Sequence, residues 1–416
     1  MKKFFPVLFV LVCIALVFAG CKKEPEGVTL KLWHIWASDT ESSKAPFERV
    51  LASYQASHPN IKLEVDATEN EAYKTKIRSA VAANEAPDVF FYWAGGTMKG
   101  FVDADALLPL DQYLDPATKG KMLSGTTVNM TFNNQTYGLG HSQAAGTFFV
   151  NQELFDQNGL TVPATWDELI NVCQAFLSRG ITPFTIGAKE TWCIAMYFDL
   201  MYLHQAGFQA TNAALGKTGP FNTPDTIEAA RKLQQLIKMG AFGRGAMGIS
   251  RDESEVPFYE GKVPMYVNGS WTIGNINRPD CIVRDKIKIY PFPALGPNGS
   301  TRDLTGGVSE IFAVNSKTKY PDEAAELVKF IAQNFAAELY VTGAGLPTWQ
   351  VSVDESKIDP LTKNLVELFK NVDTYTLWWD TLLEGEDAQL YLNTLSSLFA
   401  EQITPEQFAS TMGTIK

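Results

Sequence analysis

Residues 86–96 read Ala-Pro-Asp-Val-Phe-Phe-Tyr-Trp-Ala-Gly-Gly. Between the Pro-Asp start and the Gly-Gly stop, Val89 to Trp93 are apolar without interruption. A strand apolar at every position has both faces covered, as in the interior of a parallel α/β sheet. This one ends in an indole followed at once by small residues. In open α/β sheets, ligands sit in the crevice beyond the carboxyl ends of the strands. The stretch therefore predicts a buried strand whose last side chain, Trp93, meets a cleft.

The preceding segments complete the unit. Val28–Trp36 reads as a strand, and Phe47, Val50, Leu51 and Tyr54 fall at helical spacing before His58-Pro59-Asn60. Ile61, Leu63 and Val65 alternate as a second strand, and Glu71–Ala83 reads as a second helix with Tyr73 and Ile77 on one face. This β-α-β-α-β order requires parallel strands joined by right-handed crossovers. Parallel strands bring their C-terminal ends to one edge, so Trp36 and Asp39, Glu69 and Asn70, and Trp93 converge there. Tryptophan is mostly a core residue, but one at a strand end beside polar residues and glycines fits a cleft as well as a core.

Downstream, Thr147–Val150 reads as a strand, and Thr165 with Glu168 forms a capping box for a helix that stops near Gly180. Thr223-Pro224 opens another helix, closing at Gly240. Val263–Trp271, Lys288–Pro293 and Ile311–Val314 read as strands, and a helix starts at Pro321. The chain is mostly helical from Asp354, with a last capping pair at Thr404–Gln407.

A chain of 416 residues is too long for one ordinary core, so two domains are expected. Its formal charge of −11, or −13 once Lys2 and Lys3 leave with the leader, excludes nucleic acid, which needs clustered Lys and Arg. Lys2-Lys3 and the apolar stretch Phe4–Ala19 form a targeting segment too short to span a bilayer comfortably. Ala19-Gly20-Cys21 follows. This resembles a lipoprotein cleavage site in which Cys21 is lipidated, with residues 1–20 a signal peptide and 21–27 a tether; an ordinary cleaved signal peptide is the alternative. Cys173, Cys193 and Cys281 remain in the body, where one disulfide is possible and none is assignable.

The motifs argue against chemistry. Gly140-His141-Ser142-Gln143-Ala144 misses the last glycine of the nucleophile elbow, and no His follows His204 to complete a triad. There is no phosphate-binding loop and no His pair spaced for a metal, so neither cofactor nor metal is expected. A glycosidase carboxylate pair is set in space and leaves no sequence spacing. The nine tryptophans stand out instead. Trp192 follows Lys-Glu-Thr, Trp271 follows Asn-Gly-Ser, and Trp378-Trp379-Asp380 lies in a polar stretch, with one of the two indoles read as core. An aromatic face beside carboxylates and amides suits a sugar, whose C–H groups pack on the ring while its hydroxyls find planar partners.

The order of several stretches, above all NQELFDQNGL with TWDEL (151–169) and EGKVPM with GSW (260–271), is similar to family 1 extracellular solute-binding proteins, the capture components of carbohydrate ABC importers, maltose-binding protein among them. LKLWHIWASDTESS (30–43), APDVFFYW (86–93), TGGVSEIFAVNSKTKYPDEAAELVKFI (305–331) and AGLPT (344–348) fit the same order. The resemblance implies a two-lobed α/β periplasmic-binding-protein fold, each lobe a mostly parallel sheet flanked by helices, with the ligand cleft between them. Lobe one would comprise 28–137 plus 306–350, and lobe two 138–305 plus 351–416. It implies a monomer with no enzyme activity, exported and lipid-anchored, taking a carbohydrate and docking on an ABC permease. Carried over by position, the ligand contacts are Trp36, Asp39, Glu69, Asn70, Trp93, Gln143, Trp192, Trp271, Glu310, Trp378, Trp379 and Asp380. A polyol phosphate, a peptide or a polyamine is the alternative ligand, and a glycoside hydrolase the alternative class. An anionic ligand would want Arg or Lys in the cleft, where these segments offer aromatics and acids.

Overall fold

The computed structural model describes residues 27–415. The expected signal peptide, residues 1–20, and the expected lipidation site Cys21 lie outside the described residues.

The first unit forms as its patterns predict: β1 (Val28–His34), α1 (Lys44–Ser57), β2 (Ile61–Ala67), α2 (Asn70–Ala82) and β3 (Val89–Trp93). β1 lies parallel to both neighbours, with Val28 opposite Ile61 and Leu32 opposite Val89. Val89 to Tyr92 are buried and Trp93 only half so. α3 (Gly96–Asp103) starts directly at the glycine pair, with Gly95 at φ 75°, a conformation that favours glycine.

The chain then leaves for the second lobe. β4 (Leu139–Gly140) lies on the first sheet and β5 (Ser142–Asn151) on the second, with only His141 between them. α4 (Trp166–Leu177) opens on the expected capping box, in which Thr165 and Glu168 satisfy each other's backbone N–H groups. α5 (Thr191–Ala206) is buried at every position from Cys193 on. It is therefore the central helix of this lobe, apolar all round because it is covered all round. α6 (Pro224–Lys238), α7 (Arg251–Tyr259), β6 (Met265–Gly269), α8 (Thr272–Ile276), β7 (Ile287–Tyr290) and β8 (Asp303–Gly307) follow.

At Val308-Ser309 the chain returns to the first sheet as β9 (Glu310–Val314), antiparallel to β3 with Glu310 opposite Trp93. α9 (Pro321–Thr342) covers that sheet, burying Leu327, Val328, Ile331 and Phe335. A third crossing at Gly343–Gly345 reaches β10 (Leu346–Pro347), which pairs with β5. The second lobe is completed by α10 (Pro360–Lys370), β11 (Thr374–Thr376), α11 (Trp379–Leu382), α12 (Gly385–Phe399) and α13 (Pro405–Met412).

The first sheet runs β2-β1-β3-β9-β4, and the second runs β10-β5-β8-β11 with β6 and β7 also on β5. The expectation of mostly parallel sheets holds for β2-β1-β3 but not for the second lobe. There β6, β7, β8 and β10 all pair antiparallel with β5, and only β8–β11 is parallel. A strand buried on both faces reads the same in either direction, so its apolar run carries no orientation. Each lobe has its own core, one around Phe47, Phe91, Phe312 and Phe335 and the other around Phe148, Phe198, Tyr391 and Phe408. Cys173, Cys193 and Cys281 are all free thiols. Among the described residues no helix is long and apolar enough to cross a membrane.

Candidate functional site

A cavity of about 720 Å³ lies between the two lobes, within the usual range for small-molecule sites. Asn70, Lys74 and Arg78 of α2 all line it. Their i, i+4, i+8 spacing puts them on one helix face, and eight residues at 1.5 Å per residue span about 12 Å. A pyranose with its hydroxyls is about four bond lengths, or roughly 6 Å, across. The cavity is thus longer than one sugar ring.

Its second-lobe wall is aromatic. The Trp271 ring centroid lies 6.3 Å from that of Trp192 and 5.7 Å from that of Trp378, the planes tilted by 60° and 57°. Met196 and Leu377 pack with this cluster. A side chain on Gly269 would collide with the Trp271 ring, so glycine at the end of β6 lets the indole fold back over the backbone. Across the cleft, Trp93 stands at the end of β3 with Lys74 Nζ 5.5 Å from its ring centroid. Among the described residues, the indole nitrogens of Trp192 and Trp378 and the side-chain oxygens of Asn70 and Asn275 are buried without a hydrogen-bond partner. All four residues line the cavity. An unpaired buried polar group costs about 1–3 kcal/mol, a cost that a polyhydroxylated occupant can relieve.

The charges come from both lobes. Arg251 Nη2 reaches across the cleft to Glu41 Oε1 at 2.7 Å, and also contacts Asp252 Oδ1 at 2.5 Å. The Arg251 backbone N–H donates to Glu190 Oε1 at 3.1 Å. Burial works against the guanidinium, but Glu255, Glu41 and Asp252 outweigh it and hold the charge firmly in place. Burial raises the Glu190 carboxyl, opposed by Arg251, and raises that of Asp380, opposed by Lys74. Lys74 is itself paired to Glu71 at 2.6 Å. At the crossing strands, His141 Nε2 lies 3.5 Å from Glu310 Oε2.

The lobes also touch through glycines. A Cβ on Gly96 of α3 would lie 2.5 Å from the Leu383 carbonyl oxygen and closer still to that of Leu382. One on Gly274 of α8 would lie 2.5 Å from Ser42 Oγ in the first lobe. Any larger residue at either place would hold the lobes apart.

Of the residues expected from sequence, Trp36, Asn70, Trp93, Trp192, Trp271, Glu310, Trp378 and Asp380 line the cavity. Trp36 does so as its floor, its ring packed against Phe47, Phe91 and Phe335. Four expected residues lie elsewhere. The Asp39 side chain is 96% exposed and paired to Lys44. Glu69 turns back to cap α2, accepting from the N–H groups of Glu71 and Ala72. Gln143 sits between Ser142 and Ala144, which line the cavity, so strand alternation sends it to the other face. Trp379 is fully buried against Tyr202, Phe221 and Tyr391, and its backbone N–H donates to Asp199 Oδ2 at 2.9 Å. Asp199 also accepts from the Tyr391 hydroxyl. This buried carboxylate anchors the segment that presents Trp378 and Asp380.

Sequence reasoning missed Glu41, Lys74, Arg78, Lys189, Glu190 and Arg251, all of which line the cavity. The polar stripe of α2, flanking the buried Tyr73 and Ile77, was a legible signal for Lys74 and Arg78. Nothing in sequence joins Glu41 to Arg251, 210 positions apart. The expectation that the cleft lacks cations is overturned: Lys74, Arg78, Lys189 and Arg251 all face it.

A family model described as bacterial extracellular solute-binding protein matches residues 36–337. A solved structure described as biochemical and structural insights into xylan utilization by the thermophilic bacterium Caldanaerobius polysaccharolyticus superposes with a TM-score of 0.90 at 36% identity, covering 93% of this chain and 99% of that one. A chitin oligosaccharide binding protein superposes at 0.86 with 24% identity, over 94% and 98% of the two chains. An uncharacterized ABC transporter extracellular-binding protein of Pyrococcus horikoshii is 22% identical over 353 residues, 83% of this chain and 77% of the relative.

Proposed function

We propose that this chain, which belongs to the bacterial extracellular solute-binding protein family, captures a di- or oligosaccharide and delivers it to the permease of an ABC importer. The observation that carries this reading is the cavity wall: indoles from both lobes, interleaved with carboxylates and with buried amide and indole groups that lack partners of their own. Stacking faces beside unsatisfied donors and acceptors suit sugar rings. The length of the cavity along α2 favours more than one ring. Similarity to the structure concerned with xylan utilization makes a xylo-oligosaccharide the first candidate. Of the alternatives, a polyamine finds carboxylates in the cleft but also four cations.

Mechanistically, the open protein and the form in which Arg251 meets Glu41 are in equilibrium, and a ligand touching both lobes shifts it toward the latter. The hinge is the three crossings at His141, Val308-Ser309 and Gly343–Gly345. We take the lobe bounds at these crossings, a few residues from the expected 137/138, 305/306 and 350/351, since Leu139–Gly140 pairs in the first sheet and Gly306–Gly307 and Leu346–Pro347 pair in the second. The working form is a monomer tethered through lipid on Cys21, and the ligand leaves unaltered.

A thermal-shift screen against neutral mono-, di- and oligosaccharides tests the assignment, since a ligand at 100 times its Kd stabilises by about 2.7 kcal/mol. An oligosaccharide that raises the midpoint and changes the tryptophan fluorescence is expected. No shift from any sugar, or turnover of a chromogenic glycoside, rejects it.

A further inference from the structure

Two cations in the cleft, Arg78 and Lys189, have no ion pair among the described residues, and only Arg78 offers a guanidinium. Arg251 is bound to Glu41 and Asp252, and Lys74 to Glu71. Arg78, one helical turn beyond Lys74, lines the same cavity and is exposed, with no ion pair or hydrogen bond among the described residues. Its charge acts on Tyr92, whose ring is stacked on Phe101 at 4.5 Å and 21°. Gly100 and, from the facing lobe, Gly385 line the same cavity, and a Cβ on either would meet nothing within 4 Å. The same lining holds five carboxylates, Glu41, Glu71, Glu190, Glu310 and Asp380. Two of them already hold Arg251 and Lys74. This arm of the cleft, around Arg78, thus sets an unpaired guanidinium beside an aromatic pair.

We propose that this arm receives a carboxylate borne by the ligand, that of a uronic acid unit on an otherwise neutral oligosaccharide, and that Arg78 recognises it. The proposal rests on the reading of the cleft as a sugar site. A guanidinium presents a planar fork that matches a carboxylate with two parallel hydrogen bonds. The open space beside Gly100 and Gly385 leaves room for a branch that a linear neutral chain does not need.

The test is calorimetric titration of the mature protein with xylotetraose and with the same tetraose carrying a glucuronic acid branch, at low and high salt. The acidic sugar is expected to bind about tenfold more tightly at low salt, with an advantage that shrinks as salt screens the charge. Arg78→Ala brings the ratio of the two affinities to about one, and Arg78→Lys restores part of it, with thermal unfolding confirming that both variants fold. Equal affinities in the unmodified protein, or an advantage that survives Arg78→Ala, overturn the proposal. Binding of neither tetraose while another neutral oligosaccharide binds overturns the uronate assignment and leaves sugar capture standing. No shift from any sugar overturns both.

Discussion

Replacing Gly96 by Ala separates closure from folding. In the present arrangement a Cβ at this position lies 2.5 Å from the Leu383 carbonyl oxygen and nearer to that of Leu382, against 3.4–4 Å for ordinary contact. From 2.5 to 3.4 Å, the first turn of α3 must retreat from the end of α11 by roughly 1 Å. Gly96 is not among the glycines with positive φ, so alanine fits its backbone, and in a helix it is favoured over glycine by up to about 1 kcal/mol. The collision partners lie on the opposite lobe, so the overpacking cost of about 1–3 kcal/mol falls on the closed form alone. At 1.4 kcal/mol per factor of ten, ligand affinity drops by roughly five- to 150-fold. The ligand-free melting temperature stays level or rises slightly. Isothermal titration calorimetry with the best sugar from the screen, beside a ligand-free melt, gives both numbers. Gly248→Ala, where a Cβ meets nothing within 4 Å, is the control. Unchanged affinity in Gly96→Ala would show that the contact is not part of closure. A large fall in the ligand-free melting temperature would show that it is a permanent packing contact.

Three further outcomes follow from named contacts. Trp271→Ala, at the centre of the indole cluster, is expected to weaken sugar binding more than about tenfold; Trp379→Ala should instead cost about 3–5 kcal/mol of stability, read from denaturant unfolding. Glu41→Gln leaves the buried Arg251 without its partner across the cleft, so affinity measured by titration should fall by about tenfold while the fold persists. His34 is buried, and burial pushes its imidazole from 6.5 down to about 4, partly opposed by Asp66. A depressed histidine contributes stability that is full above the unfolded value of 6.5 and is lost as pH falls toward about 4. This is up to about 3 kcal/mol by linkage. His34→Phe should flatten the acid limb of melting temperature against pH between those values, and an unchanged limb would refute the assignment.

The parts of the site legible in sequence are those fixed by local grammar. An apolar run closed by glycines placed Trp93, and the parallel unit behind it brought Trp36 and Asn70 to the same edge. Local grammar also misled. Glu69 at a strand end looks like a cleft carboxylate, yet the same position is the N-cap of α2, and unpaired helix N–H groups claimed its side chain. Gln143 failed by one residue of register, which on a strand reverses the face. In Trp378-Trp379 the backbone bond to Asp199 decides which ring is core, and that partner lies 180 residues away. The Glu41–Arg251 bridge had no signal, because two charges from different lobes leave no spacing. Strand direction in the second sheet was hidden for the same kind of reason: burial on both faces erases the pattern that would reveal it.

The register of β9 against β3 sets when the first lobe can be finished. Glu310 pairs with Trp93, 217 positions earlier in the chain (310 − 93). Closing a loop of that length costs about 5 kcal/mol of chain entropy from its length alone, and distant pairings of this kind slow folding. As the chain emerges from its N-terminus, β1, β2 and β3 appear early, but the strand that covers the open side of β3 arrives only after the bulk of the other lobe. Until then Val89 to Tyr92 have no partner on that edge. The edge of β3 that β9 covers is thus among the last parts of the first lobe to be completed, and this one pairing acts as a timer on the maturation of that lobe.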